Sequence, residues 1–79
     1  MKRAVREIFV NELGIGDDQY SEDLAYNSIP EWDSASHMII VLAIEEKFGV
    51  ELSPGEVVSM TTIPRIYTVM QSKGILLDA

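Results

Sequence analysis

The chain has no cysteine, which excludes a disulfide framework and a thiolate metal centre. Basic residues are scarce: six Lys and Arg stand against thirteen Asp and Glu, for a net charge of −7. That balance argues against nucleic acid as a partner, because binding phosphate needs clustered Lys and Arg. Long apolar runs are missing as well. The longest, Met38 to Ile44, falls far short of a membrane span, and the N-terminal residues lack the apolar core of a secretory signal. A cytoplasmic protein without a membrane span is expected. Histidine occurs once, at His37, so a metal site would need carboxylate partners that no spacing assembles, and no metal is expected.

What the chain does have is apolar content, at 47% of 79 residues. This excludes disorder and suits a single compact domain over 1–79, near the lower size limit for a core without staples. Val5, Ile8, Phe9 and Leu13 keep the spacing of a buried helical stripe, so a first helix is predicted from Lys2 to Leu13, stopped by Gly14. Arg3 can pair with Glu7 one turn on, giving a solvated basic face. From Gly16 to Trp32 no periodicity persists; Asp, Ser, Asn and Gly dominate, and a long ordered loop is expected, pinned by Leu24, Tyr26 and Ile29.

A second helix is predicted from Ser34 to Phe48, capped by Asp33 and followed by Gly49. Taken alone, Met38 to Ile44 could also be a buried strand; the cap and the Glu45-Glu46-Lys47 continuation favour a helix. Its apolar residues divide into two stripes. Ile40, Val41, Ile44 and Phe48 form one; Ala35, Met38, Ile39 and Leu42 form the other. A bundle this small can bury one of them, leaving the second for a ligand or partner, although a dimer contact or ordinary core would also use it. Ser53-Pro54-Gly55-Glu56 carries the cap, proline and box of a short third helix, with Val57 and Met60 inward. A fourth follows Thr62, with Ile63, Ile66, Tyr67 and Met70 inward and Gly74 as terminator.

Asp33 and Ser34 form the candidate site. Asp and Ser both cap helices, so a purely structural helix start is one reading. The other rests on what surrounds them. Ser34 lies on a first turn whose unpaired N–H groups favour an attached anion. Glu31-Trp32-Asp33-Ser34-Ala35, the ending Glu45-Glu46-Lys47-Phe48-Gly49-Val50, the short capped helix and Thr61-Thr62-Ile63 occur in that order, and together they resemble the acyl carrier protein family. The resemblance implies an all-α, four-helix bundle with three main helices, a short third helix and a long first loop. It also implies a non-enzymatic carrier holding an acyl or aminoacyl group as a thioester on phosphopantetheine. That group would come from coenzyme A and be attached to Ser34, with Asp33 capping and orienting the site.

The implied partners are a phosphopantetheinyl transferase, an acyl- or aminoacyl-loading enzyme and downstream transferases, met by a monomer. Ala35, Met38, Ile39 and Leu42 are the expected apolar contacts, and Glu45, Glu46 and Glu56 the expected acidic ones. Family members usually carry Gly and Leu where Trp32 and Ala35 stand, and acidic residues where Ser36 and Ile39 stand. The likeness is therefore to dedicated carriers with a longer incoming loop rather than to the fatty-acid housekeeping protein. The alternative is an unmodified acidic adaptor that binds a protein through the exposed stripe.

Two other readings are set aside. Asp33, Ser34 and His37 could be taken as a nucleophile–base–orienter set, but so small a chain offers no enclosed pocket or oxyanion hole at a helix mouth. Asp17 to Asp23 resembles a calcium loop in composition alone, lacking the glycine and the closing glutamate that such a loop needs.

Overall fold

The computed structural model describes residues 1–76. Local sequence accounts for where each helix starts and stops. Helix α1 spans Lys2–Leu13 and ends at Gly14, whose left-handed φ of 68° lets its N–H return to the Val10 carbonyl. Helix α2 spans Ser34–Phe48 and ends the same way at Gly49, which bonds the Glu45 carbonyl at 2.9 Å. Helix α3, Pro54–Ser59, opens on a complete capping box: Ser53 Oγ accepts the Glu56 amide, and the Glu56 carboxylate accepts the Ser53 amide at 2.8 Å. Helix α4, Ile63–Ser72, is capped by the Thr62 hydroxyl. All four helices match the predicted elements, and among the described residues there is no strand, only one isolated bridge between Ala25 and Thr62.

The core is the meeting point of α1, α2 and α4 with the long loop. Val5 and Phe9 come from α1, Ile40 and Ile44 from α2, and Ile63, Ile66 and Met70 from α4; all are fully buried, as is Met60 just past α3. Leu13 and Phe48, expected in the core, are half-buried at its edge.

The loop between α1 and α2 contributes more than its composition suggests. Leu24 is buried, and Tyr26 and Ile29 pack against the core as expected. Ile15 and Trp32 were not expected there, yet both are buried, and Trp32 is the largest side chain in the core. Its indole meets Phe9 edge-on at 4.8 Å. Backbone bonds hold the loop in place, from the Tyr26 amide to Thr61 O at 2.8 Å and from the Asn27 amide to Trp32 O at 2.9 Å.

The N-terminal basic residues also work differently from expectation. Arg3 and Glu7 form no ion pair among the described residues. Instead Lys2 reaches Glu22 at 3.7 Å and Arg6 reaches Asp17 at 3.3 Å, fastening α1 to the loop. The loop carries these carboxylates across the helix face, where they replace a weak exposed pair within the helix. Tyr67 of α4 adds a third tie by donating its hydroxyl to Glu22 at 2.8 Å; burial, then hydrogen bonding, pushes that phenol above its ordinary pKa. Among the described residues no helix is long and apolar enough to cross a membrane.

Candidate functional site

Asp33 turns the chain from extended backbone, φ −105° and ψ −173°, into α2. Its carboxylate accepts the Ser36 amide at 2.9 Å, and its carbonyl accepts the His37 amide at 2.8 Å. The Ser36 amide and then the Ser36 hydroxyl hold the Asp33 carboxyl below the usual carboxylate range. Because the folded value is lowered, this capping contribution is present above the ordinary Asp range. It is lost as pH falls through the lowered value. Ser34 follows as the first helical residue, exposed to solvent at the positive end of the helix.

A groove of about 390 Å3 begins beside Ser34. Met38 and His37 of α2 line one side, Val57 and Val58 of α3 the other, and Tyr26 and Thr61 its remaining edges. A second groove of about 420 Å3 shares Met38, Val57 and Val58 with it and runs on past Leu42 towards Glu45 and Leu52. Ser34 thus stands at the head of a largely apolar trough between α2 and α3.

The two faces of α2 separate as the spacing predicts. Ile40 and Ile44 are fully buried and Val41 nearly so, whereas Met38, Ile39 and Leu42 are 49%, 46% and 60% exposed and Ala35 is exposed. Ile39 and Leu42 also border a third groove, of about 600 Å3, between α2 and α1, rimmed by Glu12, Glu46 and Lys47. Val58, at 74% exposed, extends the apolar surface onto α3 and was missed from sequence. Its signal was present: two adjacent valines on so short a helix cannot both face inward.

The acidic candidates differ in what they offer. Glu46 is exposed. Glu45 accepts the Leu52 amide at 2.9 Å. Glu56 closes the α3 box and pairs with Lys73 at 2.8 Å, and Lys73 is the leading reason its carboxyl lies below the usual range. Glu45 and Glu56 are therefore already engaged within the fold, whereas Glu46 is exposed to solvent beside the apolar stripe.

His37 is buried, with both ring nitrogens engaged. Nδ1 lies 3.0 Å from Trp32 Nε1, and Nε2 lies 2.9 Å from the Val57 carbonyl. In this geometry neither nitrogen is available to Ser34 as a base. No group of three His, Asp or Glu side chains among the described residues is placed to hold a metal ion. No family model matches the chain.

Proposed function

We propose that this chain is an acyl carrier protein, serving a dedicated biosynthetic pathway once Ser34 carries phosphopantetheine. The observation behind this reading is an exposed serine on the first turn of a capped helix, at the head of an apolar groove. The residues present suit such a group. A phosphodiester on Ser34 Oγ would lie at the positive end of α2, and an arm leaving it would find Met38, Val57 and Val58 along its path. Phosphopantetheine supplies a thiol on a long flexible arm, able to hold an acyl or aminoacyl group as a thioester, and this chain has no thiol of its own.

The chain's own residues do the holding and the presenting. Asp33 caps and orients the helix mouth, and the exposed Ala35, Met38, Ile39 and Leu42 offer apolar contacts to enzymes that visit in turn. Those partners are a phosphopantetheinyl transferase, a loading enzyme and downstream transferases. Tethering keeps one cargo at high effective concentration for each of them. The reading entails a monomeric, cytoplasmic, non-enzymatic protein. Incubation with coenzyme A and a broad-specificity phosphopantetheinyl transferase, followed by intact mass, tests it. One added phosphopantetheine per chain is expected.

An unchanged mass would favour the second reading, an unmodified adaptor binding a protein through Met38, Ile39, Leu42 and Val58, whose exposure is the observation in its favour.

Charge gives a separate prediction. With a net charge of −7 and an exposed Glu46 beside the apolar stripe, encounter with a basic patch on the transferase should be steered. Glu46→Lys is expected to slow modification at low salt and to matter less as ionic strength rises, with little change in thermal stability. Modification rates that ignore ionic strength would show that the apolar contact suffices.

A further inference from the structure

His37 joins three parts of the fold that meet at the groove. Its Nδ1 lies 3.0 Å from the indole nitrogen of buried Trp32, and its Nε2 lies 2.9 Å from the Val57 carbonyl. An indole N–H can only donate and a carbonyl can only accept. The network therefore assigns the lone pair to Nδ1 and the single ring proton to Nε2. The Trp32 and His37 rings lie 24° from parallel, and Tyr26 meets His37 edge-on at 5.5 Å.

Helix α3 depends on this contact because it has little else at its centre. It is six residues long and has no buried side chain. The Ser53–Glu56 box ties its first turn, and Lys73 reaches the same Glu56. The His37 bond is made at Val57, in mid-helix, and Val57 and Val58 are the groove wall that faces Ser34 and Met38. The ends of α3 are anchored by buried Met60 and by Leu52, and the middle of that wall is tied to α2 through one imidazole that fits its two partners only when neutral.

We propose that His37 is a positioning residue for the Ser34 site: the neutral ring clamps α3 to α2 and to Trp32, holding the groove at one width, and protonation of the ring opens the clamp. A second ring proton would sit on Nδ1, where the Trp32 N–H already points. Two donors would then face each other and a buried indole N–H would lose its acceptor. The neighbouring charges make no ion pair with the ring among the described residues. Asp33, from the mouth of α2, is bonded to the Ser36 amide, and Glu56, beside Val57 on α3, is bonded to Ser53 and Lys73. The loop presents the Trp32 and Tyr26 rings, and no ion pair reaches His37 from α1 or α4 among the described residues. The link to Ser34 rests on the carrier reading; the clamp itself does not.

Amide NMR and hydrogen exchange from about pH 8 to about pH 5 test the clamp. The Val57, Val58 and Ser59 amides and the Trp32 indole N–H are expected to shift in the same step as the His37 ring, while α1 amides stay still. Protection of the α3 amides, corrected for intrinsic exchange, should fall roughly tenfold across that step, the equivalent of one unpaired buried donor. His37→Gln, whose amide can accept from Trp32 and donate to Val57 without titrating, should remove the step. Trp32→Phe, which deletes the opposing donor, should leave the ring titrating but α3 unmoved. His37→Leu should loosen α3 already at neutral pH.

Stationary α3 amides while the ring titrates, or the same step in His37→Gln, would overturn the proposal. So would a ring that never titrates combined with undiminished α3 protection in His37→Leu. For the link to Ser34, the rate of phosphopantetheine attachment in the native chain relative to His37→Gln should change across the same step. A constant ratio with a moving α3 refutes that link. Absence of attachment to either protein at any pH counts against the carrier reading instead, and the amide measurements still decide the clamp.

Discussion

Ser34→Ala is expected to abolish phosphopantetheine attachment completely, whereas Ser36→Ala should leave it possible. Both serines lie on the first turn of α2, but they are placed differently. Ser34 is exposed at the head of the groove, while the half-buried Ser36 gives its amide to the Asp33 carboxylate and stands two residues further into the helix. Attachment breaks the pyrophosphate bond of coenzyme A, releases adenosine 3′,5′-bisphosphate and leaves the phosphopantetheinyl group as a phosphodiester on that single oxygen in place of its proton, so the site is lost with the hydroxyl. The measurement is intact mass after incubation with coenzyme A and transferase, with circular dichroism as a folding control. Alanine at Ser34 leaves the Asp33 cap in place, so a lost mass gain would not reflect a lost helix. A mass gain that persists in Ser34→Ala would refute the assignment.

The second large effect concerns the two faces of α2. Ile44→Ala should destabilise the fold by about 2–5 kcal/mol, since Ile44 is fully buried and its removal leaves a cavity. Trp32→Ala should cost about 3–5 kcal/mol for the same reason and also strips Nδ1 of His37 of its donor. Phe48→Ala should fall nearer the low end of the first range, because Phe48 is only half-buried. Leu42→Ala, at a position 60% exposed, should stay within about 0.5 kcal/mol, as should Ile39→Ala. These last two should instead weaken partner binding. Against the ~5–15 kcal/mol typical of a domain, the core changes would be a large share for so small a chain. Chemical denaturation of the variants checks this, and equal losses at Ile44 and Leu42 would contradict the separation of the faces.

The helix boundaries were legible because caps act over three or four residues. Asp33 with Ser36, Ser53 with Glu56 and Thr62 with Arg65 each lie within one turn, and Gly14 and Gly49 follow at the positions where a left-handed residue is needed. The division of α2 into two stripes was legible from the helical repeat alone. The burial of Trp32 was not. It lies in a stretch with no period, so nothing local says which of its residues turn inward. The Trp32–His37–Val57 connection was hidden for a second reason. One of its two bonds spans 20 positions, and it depends on how α3 is seated rather than on any spacing along the chain. Arg3 with Glu7 shows the opposite error, a local pairing rule displaced by loop carboxylates that only the folded chain brings near α1.

The segment between α1 and α2 sets a practical boundary on redesign. Because it delivers Ile15, Leu24 and Trp32 to the interior and bonds its backbone to Thr61, it cannot be trimmed to a short connector or exchanged for a flexible one. A chimera that grafts α2 and its serine onto another bundle would leave behind the indole that fills the space against Phe9. Any transplant of this site has to carry the incoming segment and its anchors at Thr61 and Tyr67 with it, so the smallest exchangeable unit runs from α1 into α4 rather than being the recognition helix alone.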